Sequence, residues 1–142
     1  MPIDERERQR RRALVRAHYA AENDHDLERI MKTFAADGVM LYNRQEFPSP
    51  DTIRWAHGYI GMAADPGAFS GLHATIDQEH FTDEETVIEG RVCGRHSSEF
   101  LGFQPTDRDV ELPFVAFYRF DAKGKLISER VVMNLGPLHT TS

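Results

Sequence analysis

The chain has 142 residues but only one cysteine and one tryptophan. A lone Cys93 leaves no partner for an intrachain disulfide, so the fold must be held by packing alone. No apolar run reaches the ~20 residues that a membrane-spanning helix needs. The opening MPIDERERQRRR lacks the apolar core of a secretory signal, which points to a cytoplasmic address. An excess of positive charge is also missing: the formal charge is −6 at pH 7, which argues against general nucleic-acid binding. Arg6, Arg8, Arg10, Arg11, Arg12 and Arg16 do gather near the start, but Glu5 and Glu7 stand among them. A solvated helix start is the expectation there.

Familiar chemical motifs are absent too. There is no GxGxxG, Walker loop, HExxH or CxxC, and neither Cys93 nor any serine sits in a nucleophile motif. The histidines, at positions 18, 25, 57, 73, 80, 96 and 139, show no metal-ligand spacing. No metal and no organic cofactor is therefore expected.

What the chain does contain is a change of period. Leu27, Ile30, Met31 and Phe34 follow i, i+3, i+4, i+7 and predict a helix ended by Gly38. Before it, Leu14, Val15, His18 and Tyr19 form another stripe, with Asn23 to Asp26 as the turn, so the chain opens with a helical hairpin. A short strand is expected at 39–42. Beyond Pro48 and Pro50, Asp51 can cap a third helix carrying Ile53, Trp55, His57, Tyr59 and Ile60, stopped by Asp65-Pro66-Gly67.

From Leu72 the period becomes two, with strands expected at 72–81, 86–96, 110–120 and 126–133. Thr82 to Glu85 and Asp121 to Gly124 read as hairpin turns. Helices followed by an antiparallel meander define one α+β domain over 1–142, its core at about 13–138, with three helices on one face of a curved sheet.

Strand parity then assigns faces. Ile88, Gly90, Val92, Gly94 and His96 share the apolar side of the second long strand. In the next, Val110, Leu112, Phe114, Ala116, Tyr118 and Phe120 face inward. The last strand turns in Ile127, Glu129, Val131 and Met133, which makes Glu129 the one carboxylate on an apolar face. Such a charge is costly unless it is paired or faces a cavity. His73 and Asp77 fall on the opposite face of their strand. His96 and Glu129 are thus the candidate proton carriers, with Tyr118, Tyr42 and Tyr19 as hydrogen-bonding neighbours.

The segments VRAHYAAENDHDLERIMKTFAADGV, AFSGLHATIDQ, GRHSSEFLGFQPTDRDVEL and FYRFDAKGKLISERVV occur in an order that resembles the SnoaL-like polyketide cyclases. These belong to the nuclear transport factor two and ketosteroid isomerase superfamily. The resemblance covers about 15–138. It implies a cone-shaped α+β barrel whose strongly curved, mainly antiparallel sheet wraps three helices around an apolar pocket. It matches His96 to the family's histidine and places Val131, with Asn134 beyond it, where acidic residues are common; Glu129 lies two residues away on the same face. Pocket contacts are expected from Tyr19, Tyr42, Trp55 and Phe100 in the first part of the cone, and from Phe114, Tyr118, Val131 and Met133 on the later strands. Phe100, Leu101 and Phe103 would cover its mouth.

The resulting expectation is a small hydrophobic carbonyl compound in an apolar pocket. If the protein is an enzyme, it is a cofactor-independent cyclase, isomerase or lyase of dehydratase type, with His96 and Glu129 as the acid–base pair. The alternative is a non-catalytic ligand-binding or assembly module of the same fold. A homodimer is implied by the resemblance, with Val115, Phe117 and Arg119 as its outer face.

Overall fold

Each of the three α-helices begins where a short polar side chain can take up one of its first free amides. In the computed structural model, which describes residues 3–139, Asp4 accepts from the Glu7 amide at 2.8 Å and starts α1, Glu5–Asn23. Asp26 does the same for α2, Leu27–Lys32. The cap of α3, Pro50–Ile60, is Ser49 rather than Asp51, and Ser49 and Thr52 close a reciprocal capping box. Pro50 fits the first helical position because the N–H it lacks would have had no helical acceptor. This helix ends at Gly61, ahead of the Asp65-Pro66-Gly67 stop.

Helix α2 is shorter than its periodicity predicts. Thr33 caps it, and the Thr33 carbonyl accepts from the Leu126 amide at 2.8 Å, so the chain has already joined the sheet. Phe34 is buried at the start of a strand, not at the end of a helix; a buried end residue satisfies either period. Gly38 lies within that strand, β1, Phe34–Tyr42. A Cβ on Gly38 would stand 2.9 Å from the Leu126 carbonyl oxygen, so the glycine permits close approach at a register shift between Phe34 and Val39.

Five further strands follow. The short β2, Gln45–Phe47, was not expected from the sequence; β3 is Phe69–Phe81, β4 Thr86–His96, β5 Asp109–Phe120 and β6 Leu126–Met133. They form one open sheet in the order β2-β1-β6-β5-β4-β3, antiparallel throughout except where β1 runs parallel to β6. The sheet is therefore mixed and has two free edges instead of closing into a barrel. Both expected hairpin turns form, with Glu85 N–H on the Thr82 hydroxyl at 2.9 Å and Gly124 N–H on the Asp121 carbonyl at 3.0 Å.

The inner faces of β4 and β5 follow the alternation read from the sequence. In β6 it is Leu126, fully buried, and not Ile127, that begins the inner face. The register against β5 slips by one residue between Arg119 and Phe120, so parity is lost there and recovered at Glu129. Gly90 answers a packing need: a Cβ there would approach the Phe114 ring to 2.7 Å.

The N-terminal charge cluster is only partly solvated. Arg11 is buried and donates to the carbonyls of Thr82, Asp83 and Glu85, fastening the β3–β4 turn to α1. No helix among the described residues is long and apolar enough to cross a membrane.

Candidate active site

The sheet register builds the site floor. Glu129 on β6 pairs with Met40 of β1 on one side and Tyr118 of β5 on the other. Next along β6 stand Val131, beside Tyr42 and Ala116, and Met133, beside Phe114. Alternation turns all of these toward the helices. Between the sheet and α1 and α3 they leave a cavity of about 370 Å³, within the range of small-molecule pockets.

All eight residues expected to contact a ligand line this cavity: Tyr19, Tyr42, Trp55 and Phe100, with Phe114, Tyr118, Val131 and Met133. Glu129, only 3% exposed, lines it as well. The mouth is aromatic. Trp55, 60% exposed, stacks on Tyr59 at 4.9 Å between ring centres.

The segment after β4 covers part of the opening. Phe100 is buried and stacks against Tyr59 at 5.5 Å. The Tyr59 hydroxyl accepts from the Leu101 amide at 2.9 Å and donates to Glu99 at 3.0 Å, holding this segment to α3. Phe100 and Leu101 line the cavity. Phe103 does not; it packs edge-on against His139.

His96 faces inward as parity requires and is fully buried, yet it is not among the residues lining the cavity. It stacks on Phe69 at 5.1 Å, and its Nδ1 accepts from the Thr106 amide at 3.2 Å. The expected pairing of His96 with Glu129 in one cavity is not what the geometry gives. The reason is distance along the cone: His96 ends β4 beside Phe69, whereas Glu129 sits opposite Tyr118. His73 and Asp77, set aside by parity, are exposed.

The partners of Glu129 are two other histidines. His18 Nε2 lies 3.4 Å from Glu129 Oε2 and 3.1 Å from Glu22 Oε2. His57 Nε2 lies 3.7 Å from Glu129 Oε1 and 3.4 Å from Glu22 Oε2. All four side chains are buried. Burial alone would depress the His18 imidazole, but the Glu22 and Glu129 carboxylates outweigh it and lift the group to about 10. His57 is raised for the same reasons. Burial would raise Glu22, and the two imidazoles instead pull it down. Beside this cluster the Tyr118 hydroxyl donates to Tyr19 at 2.8 Å, and burial pushes both phenols well above their ordinary range.

Sequence reasoning placed His18 and His57 on apolar helix faces without joining them to Glu129. The available signal was the i, i+4 pair His18 and Glu22, which puts both on one side of α1, next to the stripe of Val15 and Tyr19. Position 57 carries a similar signal, being i+4 from the buried Ile53.

Three α-helices packed on one open, mostly antiparallel six-stranded sheet define the nuclear transport factor two-like cone. The chain belongs to the SnoaL-like family, whose domain model matches residues 15–129. A search of curated proteins gave no match. Among solved structures, AclR of Streptomyces galilaeus, a proposed hydroxylase, is 29% identical over 90% of this chain and 77% of its own, with a TM-score of 0.73. A proposed SnoaL-like polyketide cyclase from Jannaschia sp. CCS1 gives 0.78 at 15% identity, covering 89% and 87% of the two chains. IdmH of Streptomyces antibioticus, a proposed polyketide cyclase, gives 0.74 at 18% identity over 90% and 94%.

Proposed function

We propose that this SnoaL-like protein takes a small hydrophobic carbonyl compound into the cavity and moves a proton at the carbon next to the carbonyl. The reaction class is that of a cyclase, isomerase or dehydratase. One observation carries the reading: Glu129 lines an apolar cavity, and its Oε1 has no hydrogen-bond partner among the described residues although it is buried. A carboxylate so placed is a competent base. Glu129 takes the proton, the C–H electron pair moves to the carbonyl oxygen as an enolate, and the proton returns at the end of the cycle. Tyr19, whose oxygen accepts from Tyr118, keeps its own hydroxyl proton for that enolate oxygen. In this reading His57, which lines the cavity, takes the acid role expected of His96.

The test is deuterium uptake. A panel of hydrophobic ketones and β-ketoesters in D2O is followed by NMR with the wild-type chain and Glu129→Gln. Exchange next to the carbonyl is expected, and the variant should lose at least ~100-fold of the rate. Equal exchange in the variant would remove Glu129 from this role.

Val131 favours a second reading. It gives the cavity an apolar side chain where the family often has an acid. A copurified small molecule seen unaltered by native mass spectrometry, with no exchange on the panel, would make the protein a binding module. Homodimerisation belongs to either reading: Val115 pairs across strands with Val132, which is 54% exposed on the outer sheet face.

A further inference from the structure

We propose that His18, Glu22, His57 and Glu129 form a binding site for one divalent transition-metal ion. Zinc, cobalt, manganese and ferrous iron are the class that mixed imidazole and carboxylate donors accept. The proposal goes beyond the acid–base reading and does not depend on turnover. In the metal-bound chain these side chains act as ligands instead of proton carriers.

The first ground is how the two rings are held. His18 Nδ1 stands 2.8 Å from the Thr33 hydroxyl oxygen, and that hydroxyl gives its own proton to the Ile30 carbonyl at 2.6 Å. Thr33 is therefore the acceptor, and His18 Nδ1 carries a hydrogen. His57 Nδ1 faces the Ile53 carbonyl at 2.8 Å, which can only accept. Both rings thus point Nδ1–H at fixed acceptors and turn Nε2 toward the carboxylates. Metal-binding imidazoles are oriented in this way by the hydrogen bond at the other nitrogen.

The second ground is distance. Glu22 Oε2 lies 3.1 and 3.4 Å from the two Nε2 atoms, and Glu129 reaches His18 Nε2 with Oε2 at 3.4 Å and His57 Nε2 with Oε1 at 3.7 Å. A tetrahedral ion with bonds of ~2.0–2.1 Å has ligand atoms ~3.3–3.4 Å apart. One ligand atom from each of the four residues lies within 4.8 Å of all the others. Direct hydrogen bonding accounts for the cluster less well, because His18 Nε2 and Glu129 Oε1 are buried without a partner of hydrogen-bond geometry among the described residues. A cation between them gives both atoms one. With neutral imidazoles, two buried carboxylates carry two negative charges that one divalent ion balances.

The cluster also has an open side. Glu22, His57 and Glu129 line the cavity, whereas His18 lies behind them. A metal held there can take a ligand oxygen from the pocket and polarise a carbonyl.

The test uses the full chain, stripped with chelator and titrated with cobalt(II) and then zinc(II). Saturable uptake of a single cobalt per chain is expected, with the visible bands of a four- or five-coordinate ion that zinc abolishes. X-ray absorption should show a nitrogen and oxygen shell containing two imidazoles. Glu22→Gln and His57→Ala should each weaken cobalt binding by at least ~10-fold, and His80→Gln, on the exposed face of β3, should leave it unchanged. If the cluster variants unfold, the wild-type spectrum still decides. No saturable uptake of either metal, or a shell without imidazole, overturns the proposal. Binding of carbonyl compounds to the chelated protein, measured in parallel, reports separately on the acid–base reading.

Discussion

The Tyr118 hydroxyl on β5 donates to the Tyr19 hydroxyl on α1 at 2.8 Å, in a region where both rings are buried. This contact couples the sheet to the first helix at the edge of the cavity. Tyr118→Phe should cost ~1 kcal/mol in urea unfolding, because Tyr19 loses its donor. Tyr19→Phe should do more to function, lowering turnover ~100-fold while circular dichroism stays native. Turnover unchanged in Tyr19→Phe would leave the enolate oxygen without its assigned donor.

The fold was legible because its two periods are clean, and the misread elements fail for local reasons. Phe34 is apolar and buried, so a helical count runs through it, whereas the Thr33 carbonyl has already paired with Leu126. Ile127 reads as inward by alternation, but a one-residue slip opposite Arg119 and Phe120 reverses it. Glu129 could be found because it interrupts an otherwise apolar face. Its partners could not be joined to it from spacing alone, since His18, His57 and Glu129 come from α1, α3 and β6. Only the packing of helices on the sheet brings them together. His96 shows the converse: parity gives a face, not a position along the strand.

Gly90 supplies a test of the pocket wall. An added Cβ would meet the Thr75 carbonyl oxygen at 2.4 Å and the Phe114 ring at 2.7 Å, and Phe114 lines the cavity. Gly90→Ala should destabilise the chain by ~1–3 kcal/mol and weaken ligand binding by displacing that ring. Thermal unfolding together with calorimetric titration of a bound ketone would check both effects. A fully stable variant with unaltered affinity would mean that the wall yields without cost.

The outer sheet face is open to a separate check. Val132 is 54% exposed, Val115 lies opposite it, and Arg130 covers the Phe117 ring at 4.0 Å. Light scattering at micromolar concentration should give the mass of two chains. Val132→Glu should give the mass of one, with an unchanged circular dichroism spectrum. A single-chain mass for the wild type would remove the dimer.

The buried cluster fixes the pH dependence of the metal-free chain. His18 is raised from 6.5 to about 10, so its contribution is fully present below 6.5 and is lost as pH rises through about 10. Glu22 is lowered from 4.5 to about 2, so its contribution is present above 4.5 and is lost as pH falls through about 2. Both contributions are complete only between 4.5 and 6.5, and the urea midpoint of chelated protein should be highest there. On the alkaline side, His18→Asn should flatten the decline, because Asn cannot carry the charge that Glu22 and Glu129 stabilise; it should also shrink the acid limb, because His18 is the larger of the two imidazole influences that hold Glu22 down. An unfolding midpoint that holds level from pH 6 to pH 10 in the wild type would show that the imidazole of His18 gains nothing from its two carboxylates.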